Sequence, residues 1–179
     1  WLKKDSLNIY LLAVLIFAFA VRLYYFIQVG NQPLWWDEAC YGSLAKNLIT
    51  QKWAGTDLII GETHIRPILF PIMWAALLFL KIPESGIRFL LEFVPSVLSV
   101  LFIYLIGKEV FGKRTAIIST FIFSALWIHL FYSVRLLTEV LQLVFLFPSI
   151  YFFIKATKSQ FNYNYFLISL ILLSVATLI

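Results

Sequence analysis

Asp37 and Glu38 sit side by side in Pro33-Leu34-Trp35-Trp36-Asp37-Glu38-Ala39-Cys40-Tyr41, directly after an apolar stretch long enough to cross a bilayer. Two adjacent acids are costly inside a membrane, so a pair placed directly beside it points to chemistry. A partly desolvated carboxylate can act as a general base. Arginines at the same level, Arg66, Arg88 and Arg135, offer planar donor forks that match phosphate oxygens. Acid plus arginine at a membrane surface suits a substrate with an anionic head group and a lipid tail. His64, Glu84, Glu92 and Glu139 complete the ionisable set expected on that side.

Each residue also has a plainer reading. Asp37 is a plausible N-cap and Glu38 a first-turn dipole partner. Arg66 stands before Pro67, at the start of a helix it could anchor. Arg88 with Glu92, and Arg135 with Glu139, have the i, i+4 spacing of self-satisfying pairs. His129 reads as a packing residue, Arg22 as an arginine that snorkels to the interface, and the paired tryptophans as an aromatic belt.

The elements that must hold these residues are membrane helices. Of 179 residues, 62% are hydrophobic and 13% charged, too apolar for a soluble core. The apolar runs are continuous, which excludes a β-barrel pattern. The net charge of +5 marks loops on the cytoplasmic side and not a nucleic-acid partner. A single cysteine, Cys40, permits no intrachain disulfide. No glycine-rich phosphate loop and no diagnostic metal-ligand spacing occurs; a divalent metal is compatible with the acids but not required by them.

The fold class expected is all-α and polytopic, with about five spans: Leu7 to Val29, Ile87 to Ile106, Thr115 to Val134, Leu136 to Ile154, and Tyr163 to the end. The run Ile68 to Leu80 contains Pro71 and falls short of the roughly 20 residues a crossing needs, so it reads as a surface or re-entrant helix. A second surface helix follows from Tyr41, Leu44, Ala45, Leu48 and Ile49, spaced at helical period. Both lie in one long outer loop from Gly30 to about Gly86. Lys3, Lys4, Lys108, Lys113, Arg114, Lys155 and Lys158 then fall inside, and the N-terminus is cytoplasmic.

These landmarks together resemble the GT-C glycosyltransferase superfamily, closest to glycosyltransferase family 39, the protein O-mannosyltransferase and aminoarabinose transferase branch. The likeness is carried by the Trp35 to Tyr41 segment, Ala45-Lys46-Asn47-Leu48, His64-Ile65-Arg66-Pro67-Ile68-Leu69, Arg88, and the stretch from Gly107 to Ala116. It implies residues 1–179 are the N-terminal part of a longer transmembrane module. It also implies transfer of a sugar from a polyprenyl-phosphate donor to a protein, lipid or glycan acceptor at the outer or lumenal face of a prokaryotic plasma membrane or the endoplasmic reticulum. By resemblance Asp37 is the catalytic base with Glu38 its neighbour. His64, Arg66 and Arg88 match substrate-binding positions and Glu139 stands where a later acid is expected, while Arg135 is a further candidate for the lipid phosphate from its place on the outer face. Two departures are Ile68 in place of a second proline and Glu139 in place of the aspartate frequent in the family. The competing readings are a transporter or flippase for a lipid-linked anion, which needs no base at Asp37, and a non-catalytic membrane subunit.

Overall fold

The computed structural model describes residues 4–50, 67–158 and 160–179, and every regular element among them is helical. His64 and Arg66 lie outside the described residues. The chain runs α1 (Lys4–Val29), α2 (Asp37–Ile49), α3 (Leu69–Phe79), α4 (Glu84–Arg88), a π-helical turn (Phe89–Phe93), α5 (Val94–Phe111), α6 (Lys113–Ala125), α7 (Trp127–Tyr132), α8 (Thr138–Thr157) and α9 (Tyr163–Leu178). Three helices are long and apolar enough to cross a membrane: Asn8–Val29, the continuous Glu84–Phe111, and Thr138–Thr157. The α6–α7 pair and α9 run beside them. The molecule is an all-α polytopic membrane protein.

Helix α3 spans 11 residues, about 16 Å at 1.5 Å per residue, roughly half the hydrocarbon thickness. It packs instead on α2. Tyr41, Leu44 and Ala45 are buried against Phe70, Trp74 and Ala75, as the helical spacing requires, whereas Ile49 is exposed. Gly42 makes this contact close: a Cβ there would meet Trp74 and Leu34 at 3.2 Å.

Pro95 explains the π-turn. It has no N–H to give the carbonyl four residues back, so the ladder widens and the Val94 N–H bonds Phe89 O. The Phe89 and Phe93 rings stack at 5.0 Å on this turn, with Phe26 of α1 edge-on to both. At the other end, Gly112 (φ 85°) reverses the chain between α5 and α6. Gly107 lets the two helices close up, for a Cβ there would stand 3.0 Å from Ala116 Cα. Two glycines of the Gly107 to Ala116 segment therefore have separate steric jobs. Helices α8 and α9 pair through Ser149, whose hydroxyl donates to Ser169 O, and through Gln142 to Ala176 O.

Two expectations are corrected here. The run Thr115 to Val134 is not one helix: it breaks at Leu126 (φ −65°, ψ 110°). Arg22 does not snorkel; it is fully buried and explains the break. Its Nε donates to Ser96 Oγ (2.8 Å), and its Nη1 donates to Ala18 O and to Ser124 O. Its Nη2 meets His129 Nδ1 at 3.0 Å. Ser124 O has lost its helical donor at the break, and the guanidinium replaces it. One side chain thus ties α1, α5, α6 and α7 together, and His129 is a buried packing residue with a specific partner.

Replacing Arg22 with Met should strand at least the Ser124 carbonyl and the Ser96 hydroxyl, each worth about 1–3 kcal/mol when buried and unpaired. Arg22→Lys should also destabilise, because an ammonium cannot reach acceptors on four helices at once. Thermal unfolding of the full-length protein in detergent checks both. A lysine variant as stable as the parent would return Arg22 to an interfacial role.

Candidate functional site

The C-terminal end of α1, the N-termini of α2, α4 and α8, and the α7–α8 link meet at one end of the bundle. That link, residues 133–137, is non-helical and largely buried, with Val134 and Leu136 almost fully enclosed. Irregular backbone at such depth must have its polar groups satisfied by the protein. Glu38 and Arg88 do this. Arg88 Nη1 donates to Val134 O (2.6 Å), and Leu136 N–H donates to Glu38 Oε1 (2.8 Å). The two side chains, each 1% exposed, pair directly at 2.9 Å. Glu38 Oε2 accepts from Arg135 Nη1 (3.1 Å) and from Trp35 N–H (3.1 Å). The carboxylate is saturated by four donors from three segments.

Arg88 pairs with Glu84, four residues before it, at 2.9 Å, and not with Glu92; its Nη2 also donates to Gln32 O. Arg135 turns to Glu38 and to Gln32 Oε1 (2.7 Å), and not to Glu139. Its guanidinium is sandwiched between the Trp35 and Phe131 rings, 5.4 and 5.3 Å from their centroids. Glu92 is fully buried and accepts from Leu137 N–H at 3.2 Å, continuing the same service to the link backbone. Gln32 and the link backbone carry no motif; only the third dimension reveals them, and Trp35, as partners of the acid and the arginines.

Asp37 is the first residue of α2 and is exposed; the N-cap is Trp36, so the expected capping by Asp37 is corrected. Trp36 has φ 46° and ψ −113°, a left-handed conformation that favours glycine. Holding a tryptophan there costs on the order of 1–3 kcal/mol, and such strain clusters at functional sites. Its indole remains 77% exposed. A cavity of about 360 Å³ opens at this point, lined by Trp35, Trp36, Asp37, Glu38, Phe131, Tyr132, Arg135 and Leu137. Glu139, on the first turn of α8, lies within the electrostatic field of Asp37 although the two are remote in sequence. The bundle therefore brings together Asp37, Glu38, Arg88, Arg135 and Glu139. Among the described residues no group of three or more His, Cys, Asp or Glu converges as metal ligands.

The class of protein comes from comparison with known families, which points to the membrane glycosyltransferases. A family model described as dolichyl-phosphate-mannose-protein mannosyltransferase matches residues 66–179. The chain belongs to that family. The matched segment contains Arg66, Arg88, Arg135 and Glu139 and begins after the acidic pair. No curated protein and no solved structure matches the chain.

The Glu38–Arg88 pair should behave as a unit. Glu38→Gln leaves Arg88 with Glu84 alone, and Arg88→Met leaves Glu38 with Arg135 alone, so each single variant should cost up to about 3–5 kcal/mol, the worth of breaking a buried pair. The double variant should cost less than the sum of the singles by at least about 1 kcal/mol in equilibrium unfolding. Strict additivity would show that the two side chains act independently.

Proposed function

We propose that this cavity transfers a sugar from a polyprenyl-phosphate-linked donor to an acceptor at the outer or lumenal membrane face. The observation that carries the reading is Asp37, exposed in a cavity whose other acid and arginine hold each other in place. Asp37 takes the proton of the acceptor as its oxygen attacks the anomeric carbon. The bond between that carbon and the lipid phosphate breaks, and the electron pair leaves with the phosphate. Arg135, at the cavity wall, offsets the charge that develops there; such preorganised electrostatics is usually a large share of catalysis. Its place is fixed in advance by Glu38, Gln32 and two aromatic faces. Glu38 and Arg88 then serve as the support that positions Arg135 and the link, since their polar atoms are turned to one another and to backbone. The exposed Trp36 indole and Tyr132 offer flat faces to a sugar ring. Arg66 and His64 remain proposed donor-binding residues on the sequence resemblance alone.

In the full-length protein Asp37→Asn should keep the fold and donor binding while transfer falls by roughly 10²- to 10⁴-fold, the usual worth of a positioned base. Donor affinity and single-turnover rate are the measurements. Near-normal turnover would remove Asp37 from the mechanism, whereas donor binding with no transfer even in the parent would suit a flippase, which breaks no bond.

The reading also places the cavity outside and the N-terminus in the cytoplasm. Lys113 and Asn8 bond at the end of the bundle remote from Asp37, as do Glu109 with Lys155 and Lys158. With Cys40 replaced by Ser, single cysteines at Asn31 and Lys113 should label from opposite sides with an impermeant thiol reagent, Asn31 from outside. Labelling of both from one side would overturn this topology.

A further inference from the structure

Between α1 and α6, at the end of the bundle away from the acidic cavity, lies a groove of about 600 Å³. Its walls are almost wholly hydrocarbon, with Val14 and Phe17 on α1 facing Ile117 and Phe121 on α6. Arg114 and Tyr10 stand at its mouth. From Tyr10 to Phe17 is about 10 Å along the helix, a third of the roughly 30 Å hydrocarbon thickness. The groove therefore starts at one membrane face and runs into a single leaflet.

The charges at this face decide what fits. Glu109 is already engaged by Lys155 and Lys158, and Lys113 is bonded to the Asn8 amide. Arg114 is exposed and has no ion-pair partner among the described residues. A cation above a hydrocarbon slot is complementary to an amphiphile with a negative head and an apolar tail. Basic pockets between membrane helices hold anionic lipid head groups in this way.

We infer that this groove is a binding site for an anionic phospholipid, its phosphate on Arg114 and one acyl chain between α1 and α6. The guanidinium supplies the two-donor fork that a phosphate accepts. Tyr10 lies at the head-group level, and Val14 and Ile117 set the width of the slot. The site is separate from the acidic cavity and does not depend on the glycosyltransferase reading.

The test is native mass spectrometry of the full-length protein, with dioleoylphosphatidylglycerol or dioleoylphosphatidylcholine added at equal concentration. The parent should retain the anionic lipid in preference. Arg114→Gln should weaken its retention about fivefold, the worth of one cation near an anionic head group, and leave the zwitterionic lipid unchanged. Lys158→Gln, at the same face but outside the groove, should keep the preference. Val14→Phe should reduce retention of both lipids by filling the slot. If that variant is unstable, Ile118→Trp, at an exposed lining position, serves the same end. Equal retention of the two lipids by the parent would overturn the proposal. So would an unchanged preference in Arg114→Gln, or slot-filling variants that bind as the parent does, the result expected if another part of the protein covers the groove.

Discussion

The buried Glu38 carboxylate is the interaction on which the rest of this end of the molecule depends. Two arginines, Arg88 of α4 and Arg135 of the α7–α8 link, converge on it, and two backbone N–H groups close the remaining acceptor sites. A charge taken out of water is costly by several kcal/mol unless it is paired and fully hydrogen-bonded. Once the pair is formed, the same economics fix everything attached to it. The α7–α8 link cannot move without unpairing Leu136 N–H and Val134 O, and α2 cannot tilt without dragging Glu38 from both cations.

This constraint separates the two members of the acid pair. Adjacent residues at the start of a helix point about 100° apart. Glu38 turns inward to the arginines; Asp37 is left at the rim of the cavity beside Trp36 and within the field of Glu139. A rigid inner acid and an exposed outer one form a sound arrangement for a site, because the positioning groups are themselves locked by packing. The strained Trp36 backbone fits the same picture. The Ala39 and Cys40 N–H groups hold the Trp36 carbonyl, and Glu38 and Arg135 hold the preceding Trp35, so the strained residue lies between two fixed points next to Asp37.

A second buried cation, Arg22, works by different means. It has no carboxylate within reach among the described residues and is satisfied by a hydroxyl, an imidazole and two carbonyls. The break at Leu126 and the arginine are two halves of one solution, since the interrupted helix exposes a carbonyl that the guanidinium needs. Through His129 the arginine also fixes α7, and α7 leads directly into the link around Glu38. The two buried arginines thus brace the same segment from both ends.

The sequence by itself determined the class and the general plan. Continuous apolar runs can only be membrane helices, because backbone groups in lipid must be paired within the segment. The length of Ile68 to Leu80 argued for a surface or re-entrant helix over a crossing, and the spacing of Tyr41, Leu44 and Ala45 located the buried face of α2, since both follow from local geometry. The acid pair and the arginines were legible as rare ionisable groups beside the membrane. Only the tertiary structure decided their partners. The i, i+4 spacings of Arg88 with Glu92 and of Arg135 with Glu139 suggested pairs that do not form; both arginines turn instead to Glu38, remote in sequence, whose carboxylate also accepts two backbone N–H groups. The helix break at Leu126, the burial of Arg22 and the strain at Trp36 were invisible for the same reason. Each is a local irregularity sustained by contacts from distant segments, and spacing along a chain carries no record of which distant segments will meet.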